Sequence, residues 1–454
     1  MPLSHATPSS ASAASSLAGA AVTDITPAGS VFLFGYPHVP RHSIGVHDPL
    51  ECAALYLRSG RGAALFLAND LIYLSRDFAA AVRARIAAET NVPAEAVMLT
   101  ATHTHSGPVT TDNLSNAADS VVPKADPAHL EWLANRMVAA ARAAVESAAP
   151  AECGLAIARA EGVGSNRHDP AGPTDAEVPV FVARSLATRQ PIGCMVVYGM
   201  HPTVLHEDSK LVSADFPGFT RRWLRKRALS ESCPVLYHQG AAGNQSPRHV
   251  TRANTFAEAQ RIGENLGHAL AAALGTIDYN IISSISARRA MMEVEPRVFP
   301  TVESAQSALW KSRAILDRLR AEGASRPSIR TAECDVFGAE KTVVLAQASA
   351  DGRLAAAVRS ASPAEIQVIE IGPWKFAGWP GEFFVEHGLA LKARVPGTFL
   401  ITLANGEMQG YIATPEAIAR GAYEATNAIF KVENGPRFVE RSLALIGIGS
   451  GAPK

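Results

Sequence analysis

Two histidines lie two residues apart in the stretch 102–108 (THTHSGP), a spacing that could place two imidazoles on one metal ion. His103 and His105 follow 97–101 (VMLTA), a short apolar run that predicts a buried strand. Side chains two apart in a strand point to the same face, so we expect both rings to project together at the strand's end. Neutral imidazole is a common zinc ligand, although a histidine here could equally serve only loop hydrogen bonds.

Three further side chains could complete such a site. His201 follows the apolar run 192–198, Glu382 follows Pro-Gly at the start of a predicted helix that ends near 394, and Tyr411 follows a glycine. The alternative interpretations are a structural role for His201, an interaction of Glu382 with the helix dipole, and a core position for Tyr411. The set of His103, His201, Glu382 and Tyr411 supplies N, N, O and O ligands, which suits a four-coordinate zinc. Such a site activates water near neutral pH and would hydrolyse an amide, or else an ester or lactone.

Ser246 is a competing candidate because its hydroxyl lies in the glycine-containing loop 243–247 (GNQSP). The loop lacks the G-x-S-x-G pattern of a nucleophile elbow, so an orienting role is the favoured interpretation. Arg167 and Tyr423 could stabilise an oxyanion or bind a carboxylate, or could be ordinary surface or capping groups.

The composition limits the class of protein. Of the 454 residues, 47% are hydrophobic and 19% charged, which is enough for a substantial core. Lys plus Arg equals Asp plus Glu at 42 each, which argues against a broadly basic nucleic-acid surface. No apolar run has the length of a membrane span. Residues 1–20 are rich in Ala, Ser and Pro without a secretory pattern, so we expect a flexible leader and a cytoplasmic location.

Strands and helices alternate irregularly along the chain, which predicts an α/β fold. We expect one large domain over 21–454, with a mixed central sheet flanked by helices and the site beyond the strand ends. The main predicted strands are 51–58, 63–67, 97–101, 153–160, 192–198, 235–237, 341–347 and 365–371, and the main predicted helices are 75–89, 126–148, 255–274 and 302–322.

Nine short motifs resemble the neutral/alkaline non-lysosomal ceramidases and their shorter bacterial relatives, in the order of that family. They are 23–27 (TDITP), 45–50 (GVHDPL), 101–108 (ATHTHSGP), 166–167 (NR), 199–203 (GMHPT), 213–218 (SADFPG), 243–247 (GNQSP), 380–383 (PGEF) and 410–416 (GYIATPE). The resemblance covers about residues 20 to 430, and the family's C-terminal immunoglobulin-like domain is expected to be missing. Asn244 stands where the family has an acidic residue.

The resemblance implies a ceramidase-like zinc hydrolase with one Zn²⁺ per chain. Its ligands would be His103, His201, Glu382 and Tyr411. The implied reaction is attack of metal-bound water on an amide carbonyl of a ceramide-like or smaller N-acyl compound. The implied catalytic residues are His105, Tyr423, Ser246 and Arg167; of these, Tyr423 and His105 would stabilise the oxyanion and handle protons, and Ser246 would orient the substrate.

Three alternatives remain at the level of the sequence. One is an esterase or lactonase with the same zinc site, another is a metal-free serine hydrolase that uses Ser246, and the third is an inactive binding protein. The expected partner is a small or lipid-like amide rather than a nucleic acid, and the sequence does not indicate an oligomeric state.

Overall fold

The computed structural model describes residues 16–36, 38–117 and 119–447. Its strands are β1 (Ser16–Asp24), β2 (Gly45–Val46), β3 (Glu51–Ser59), β4 (Gly62–Asn69), β5 (Val97–Ala101), β6 (Ala149–Arg159), β7 (Ser165–Asn166), β8 (Glu177–Ser185), β9 (Pro191–Tyr198), β10 (Leu211–Val212), β11 (Val235–Gln239), β12 (Gln245–Ser246), β13 (Ile285–Met292), β14 (Ala364–Ile371), β15 (Trp374–Gly378), β16 (Glu382–Phe383), β17 (Thr398–Ile401) and β18 (Tyr411–Ile412). Its α-helices are α1 (Arg76–Thr90), α2 (Pro127–Glu146), α3 (Asp215–Arg227), α4 (Phe256–Leu274), α5 (Val302–Ala321), α6 (Arg326–Ala350), α7 (Arg353–Ala361), α8 (Val385–Arg394), α9 (Pro415–Ala419), α10 (Tyr423–Asn427) and α11 (Asn434–Ile446).

Eight strands form a large mixed sheet in the order β11-β9-β8-β6-β1-β3-β4-β5. The pairs at its two edges, β4 with β5 and β9 with β11, are parallel, while the inner pairs are antiparallel. A second sheet has the order β13-β14-β15-β17. The predicted α/β fold with a mixed central sheet is therefore confirmed.

The two sheets pack face to face, and helices cover their outer faces. Phe66 of the large sheet meets Phe376 of the second sheet, with ring centroids 5.6 Å apart. Helices α1 and α2 bury Val82 and Leu133 against the large sheet, and α3 and α4 continue this layer over β8 and β9. Helices α8 and α11 cover the second sheet, for example through Phe438. The result is a layered α/β/β/α arrangement.

The large sheet curls until its two edges face each other. Thr100 Oγ1 on β5 lies 2.7 Å from His238 Nδ1 on β11. The segment after β17 fills the remaining gap. The Thr402 N–H donates to the Gln239 carbonyl at 2.8 Å, and the Ala101 N–H donates to the Leu403 carbonyl at 3.3 Å. The carboxyl ends of β5 and β11, far apart in strand order, thus lie side by side.

Three predictions about the strands and helices need correction. The helix predicted to start at Glu382 begins only at Val385, because Glu382 and Phe383 pair with β18 as strand β16. Residues 1–15 of the expected leader lie outside the described part of the chain, but residues 16–20 belong to β1 between β3 and β6. The small residues there allow close packing: a Cβ on Gly19 would lie 2.1 Å from the Ala144 carbonyl oxygen of α2. The strand predicted over 341–347 is wrong, because this segment lies inside α6, which Ser325 caps by accepting a hydrogen bond from the Ser328 N–H.

Among the described residues, no helix combines the length and the apolar character that a bilayer span requires.

Candidate functional site

The strand before the first candidate ligand ends where the sequence pattern predicted, but the backbone beyond it is not extended. Strand β5 ends at Ala101, and His103 has a φ of 70°, in the left-handed region. The His103 N–H donates to the Leu71 carbonyl at 2.9 Å. The rings of His103 and His105 do converge, with their Nε2 atoms 3.4 Å apart. The expected proximity is present, but a turn produces it and not the alternation of a strand.

Backbone carbonyls fix the tautomers of the two central histidines. His103 Nδ1 lies 3.1 Å from the Ile72 carbonyl oxygen, and His201 Nδ1 lies 2.7 Å from the Ala242 carbonyl oxygen. A carbonyl oxygen can only accept, so each Nδ1 carries the ring proton and each Nε2 keeps a free lone pair. The two Nε2 atoms are 3.1 Å apart. Glu382 Oε2 lies 3.0 Å from His201 Nε2 and 3.2 Å from His103 Nε2.

This cluster fits a divalent cation. Three electron-pair donors face one another without a proton to share, an arrangement that a cation stabilises. Zinc bonds of about 2.0–2.1 Å in a tetrahedron place ligand atoms about 3.3 Å apart, close to the spacing found here. Burial would raise the pKa of the Glu382 carboxyl, but His103 and His201 hold it well below its ordinary value. Burial lowers the pKa of His201 to about 4, so its ring is neutral. The rings of His103, His105 and His201 also lie close enough together, with possible ligand atoms within 4.8 Å of one another, to hold a metal ion.

Tyr411 is brought to the cluster by a short parallel ladder. Strands β16 and β18 pair with Glu382 directly opposite Tyr411, and the Tyr411 and His201 ring centroids are 6.4 Å apart. The Tyr411 hydroxyl lies 3.3 Å from the Tyr423 hydroxyl. The Arg167 guanidinium lies 5.3 and 5.1 Å from the centroids of these two tyrosine rings. Burial raises the pKa of both phenols.

His105 packs against a glycine that leaves space for its ring. A Cβ on Gly35 would lie 2.4 Å from His105 Nδ1, and the φ of Gly35 is 123°. Burial, followed by the neighbouring His103, holds the pKa of His105 well below its ordinary value. Its Nδ1 is buried without a hydrogen-bond partner among the described residues. His105 is therefore a neutral imidazole at the edge of the cluster.

Ser246 lies in β12, directly opposite Ser165 of β7, and it lines the same cavity as Arg167. Its Oγ accepts a hydrogen bond from the Arg248 N–H at 3.3 Å. Within the described residues, no hydrogen bond joins Ser246 to a histidine. The nucleophile and base pair that a serine hydrolase requires is not assembled here. Asn244 instead supports the start of α8, where its Oδ1 accepts from the Val385 N–H at 3.0 Å.

The cluster borders a cavity of about 240 Å³. Its lining includes most of the residues singled out from the sequence: His105, Arg167, His201, Ser246, Tyr411 and Tyr423. The other two, His103 and Glu382, contact His201. The structure therefore brings all eight together, and their individual roles stay predictions.

The sequence reasoning missed two kinds of residue. Tyr73, four residues after β4, donates from its hydroxyl to Glu382 Oε1 at 2.7 Å. Arg330 and Lys341 of α6 line the cavity, and Arg248, which follows β12, also lines it. The spacing of the basic residues on α6 is a signal in the sequence for a basic helical face. The strand predicted over 341–347 hides this signal, because it divides the helix.

Comparison with known proteins agrees with this fold. Residues 17–250 match the model of the family described as neutral/alkaline non-lysosomal ceramidase, N-terminal. A solved structure of neutral ceramidase from Pseudomonas aeruginosa is similar over 98% of this chain and 77% of its own, with 19% identity and a TM-score of 0.74. A second structure, described as ceramidase complexed with C2, is similar over 97% of this chain and 77% of its own, with 16% identity and a TM-score of 0.73. No curated protein gives a significant match. The family match covers more than half of the chain, which therefore belongs to the neutral/alkaline non-lysosomal ceramidase family.

Proposed function

We propose that this protein is a zinc-dependent hydrolase that cleaves the amide bond of an N-acyl compound. Membership of the ceramidase family supports an amide-hydrolysing enzyme. The proposed metal dependence rests on one observation. Three electron-pair donor atoms, His103 Nε2, His201 Nε2 and Glu382 Oε2, lie within 3.2 Å of one another. Tyr411, opposite Glu382 in its ladder, is the proposed fourth ligand.

Zinc held there would act as a Lewis acid and lower the pKa of a bound water to about 7. The chain's own residues would bind and orient the amide. The Tyr423 hydroxyl lines the cavity beside Tyr411 and is placed to donate a hydrogen bond to the carbonyl oxygen as its negative charge develops. His105 Nε2, 3.4 Å from His103 Nε2, is placed to take up a proton and return it to the leaving amine.

Arg167 and Ser246 have supporting roles in this proposal. Arg167 donates through Nε to Glu424 Oε1 at 2.6 Å, and this ion pair holds the guanidinium against the rings of Tyr411 and Tyr423. Ser246 lines the cavity and would orient the substrate through its hydroxyl.

Elemental analysis of protein purified without added metal tests the proposal. We expect about one zinc per chain, loss of amide hydrolysis together with the zinc on chelation, and recovery of both on adding zinc. His103→Ala should lose the metal while remaining folded by circular dichroism. Hydrolysis by metal-free protein that disappears in Ser246→Ala would overturn the proposal in favour of a serine hydrolase. Hydrolysis of a matched ester without any hydrolysis of the amide would instead assign the site to an esterase.

A further inference from the structure

The cavity beside the candidate metal site has a strongly positive wall. No Asp or Glu is among the described residues that line it. The lining contains six basic side chains: Arg167, Arg248, Arg252, Arg326, Arg330 and Lys341. The protein as a whole carries no net charge, so this concentration of one sign is local. A cleft lined by one sign of charge raises the local concentration of ligands of the opposite sign.

Close ion pairs join only two of these six cations to acidic side chains. Arg167 pairs with Glu424, and Arg330 pairs with Glu207 at 2.9 Å. The other four have no ion-pair partner in the part of the chain that the structure describes. Arg248, for example, donates to the uncharged Thr331 hydroxyl at 3.2 Å and to Cys334 Sγ at 3.2 Å.

One face of α6 carries much of this charge. Arg326, Arg330, Cys334, Phe337 and Lys341 all line the cavity, and their spacings of four, four, three and four residues place them on one helical stripe. α6 lies outside the residues 17–250 that match the family model. The positive wall is thus built largely by a part of the chain that the family match does not cover.

Lys341 is the cation whose position points most clearly to a ligand. No hydrogen bond or ion pair joins its ammonium group to another described residue. Lys341 lines the same cavity as His201 and Tyr411, and burial lowers the pKa of its ammonium group. A partly desolvated ammonium without a partner is costly unless a ligand supplies the negative charge.

His206 also lines the cavity. Burial, and then Arg330, Arg326 and Arg248, hold its pKa near 3. The ring is therefore neutral and does not add a further charge. The positive field at this position comes from the arginines.

We propose that the physiological amide carries a negatively charged group, such as the carboxylate of an N-acyl amino acid, and that Lys341 and Arg248 bind this group. This inference rests on the proposed amide hydrolysis, because it names the substrate class of the same site. A neutral amide would leave the two cations unpaired. An anionic group would pair with them while the amide carbonyl lies at the metal site. Arg252 and Arg326, both exposed, would attract the anion to the cavity.

A matched pair of substrates tests this specificity. N-hexanoylglycine and N-hexanoylethanolamine share an acyl chain and differ in carrying a carboxylate or a hydroxyl. With zinc-loaded protein we expect kcat/KM to be at least about tenfold higher for the acid, mainly through KM. Raising the salt concentration should weaken this preference, because screening reduces attraction between charges. Equal or faster hydrolysis of the neutral amide would overturn the inference and leave the proposed function intact.

Variants locate the effect. Lys341→Met should lower kcat/KM for the acid about tenfold and leave the neutral amide within about twofold, and Lys341→Arg should restore the preference. Lys311→Met, an exposed lysine on α5, is the matched control and should change neither value. Equal losses on both substrates in Lys341→Met would assign Lys341 a structural role and overturn the inference.

Direct binding separates this inference from the proposed function. If zinc-loaded protein hydrolyses neither amide, the proposed function fails, and calorimetric titration then decides the inference. Binding of N-hexanoylglycine that is lost in Lys341→Met would uphold an anion site. No binding, or equal binding of the neutral amide, would overturn it.

Discussion

Removing the Tyr73 hydroxyl should weaken metal binding without disturbing the ligands themselves. This hydroxyl donates to Glu382 Oε1 at 2.7 Å, while Glu382 Oε2 faces His103 and His201. The hydrogen bond therefore orients the carboxylate toward the metal position. In Tyr73→Phe the ring remains in its edge contact with the His103 ring, whose centroid is 5.2 Å away. The substitution thus removes one hydrogen bond and little packing.

Two general values give the size of the effect. A hydrogen bond to a charged group contributes about 1.5–3 kcal/mol. Loss of a partner that orients a metal ligand typically costs 10–100-fold in metal affinity, which corresponds to about 1.4–2.7 kcal/mol. The ranges overlap, so we expect the dissociation constant for zinc to rise by roughly 10–100-fold in Tyr73→Phe.

Competition with a chromophoric chelator measures this constant. Tyr237→Phe is the matched control, because the Tyr237 hydroxyl is buried and has no hydrogen-bond partner among the described residues. It should bind zinc as the wild type does. An unchanged zinc affinity in Tyr73→Phe would refute the reasoning, as would an equal loss in Tyr237→Phe.

Three further predictions follow from the geometry. Tyr423→Phe should lower kcat by about 100–1,000-fold while zinc content is retained, and an unchanged rate would give Tyr423 a structural role. Gly35→Ala should lower both the unfolding temperature and the activity, because its Cβ would lie 2.4 Å from His105 Nδ1 at a φ of 123°, whereas Gly29→Ala, with no atom within 4 Å of its Cβ, should change neither. Burial raises the pKa of Asp215 to about 7, above its unfolded value near 4, so its contribution is fully present below about pH 4 and is lost as the pH rises through 7. The free energy of unfolding of the wild type relative to Asp215→Asn should therefore fall between pH 4 and 7, and a difference that does not vary with pH would contradict this.

Local patterns in the sequence predicted most of the framework. Short apolar runs predicted β3, β4, β5 and β14, because a buried strand is apolar over consecutive residues. The predicted helices 75–89, 126–148, 255–274 and 302–322 likewise agree with α1, α2, α4 and α5 to within about two residues at each end. The strand prediction for 341–347 failed because the β-branched residues in this segment favour strands locally, whereas the cap of α6 and the burial of one of its faces stabilise a helix.

Residue types also singled out candidates for the site. Imidazole and oxygen donors in glycine- and proline-bounded segments are typical of metal sites, so the sequence predicts His103, His201, Glu382 and Tyr411 as metal ligands, and this assignment stays a prediction. In the sequence, each of these residues lies in or just past a segment that follows a predicted strand.

Only the tertiary structure decided that these residues meet. His103 follows one edge strand of the large sheet and His201 follows a strand beside the opposite edge, and their contact requires the sheet to curl until β5 and β11 face each other. The Tyr73 hydrogen bond and the positive wall of α6 likewise depend on distant segments packing together. Sequence patterns record which residues a strand or helix buries, whereas sheet curvature and helix placement arise from the packing of all layers at once, so no single segment encodes them.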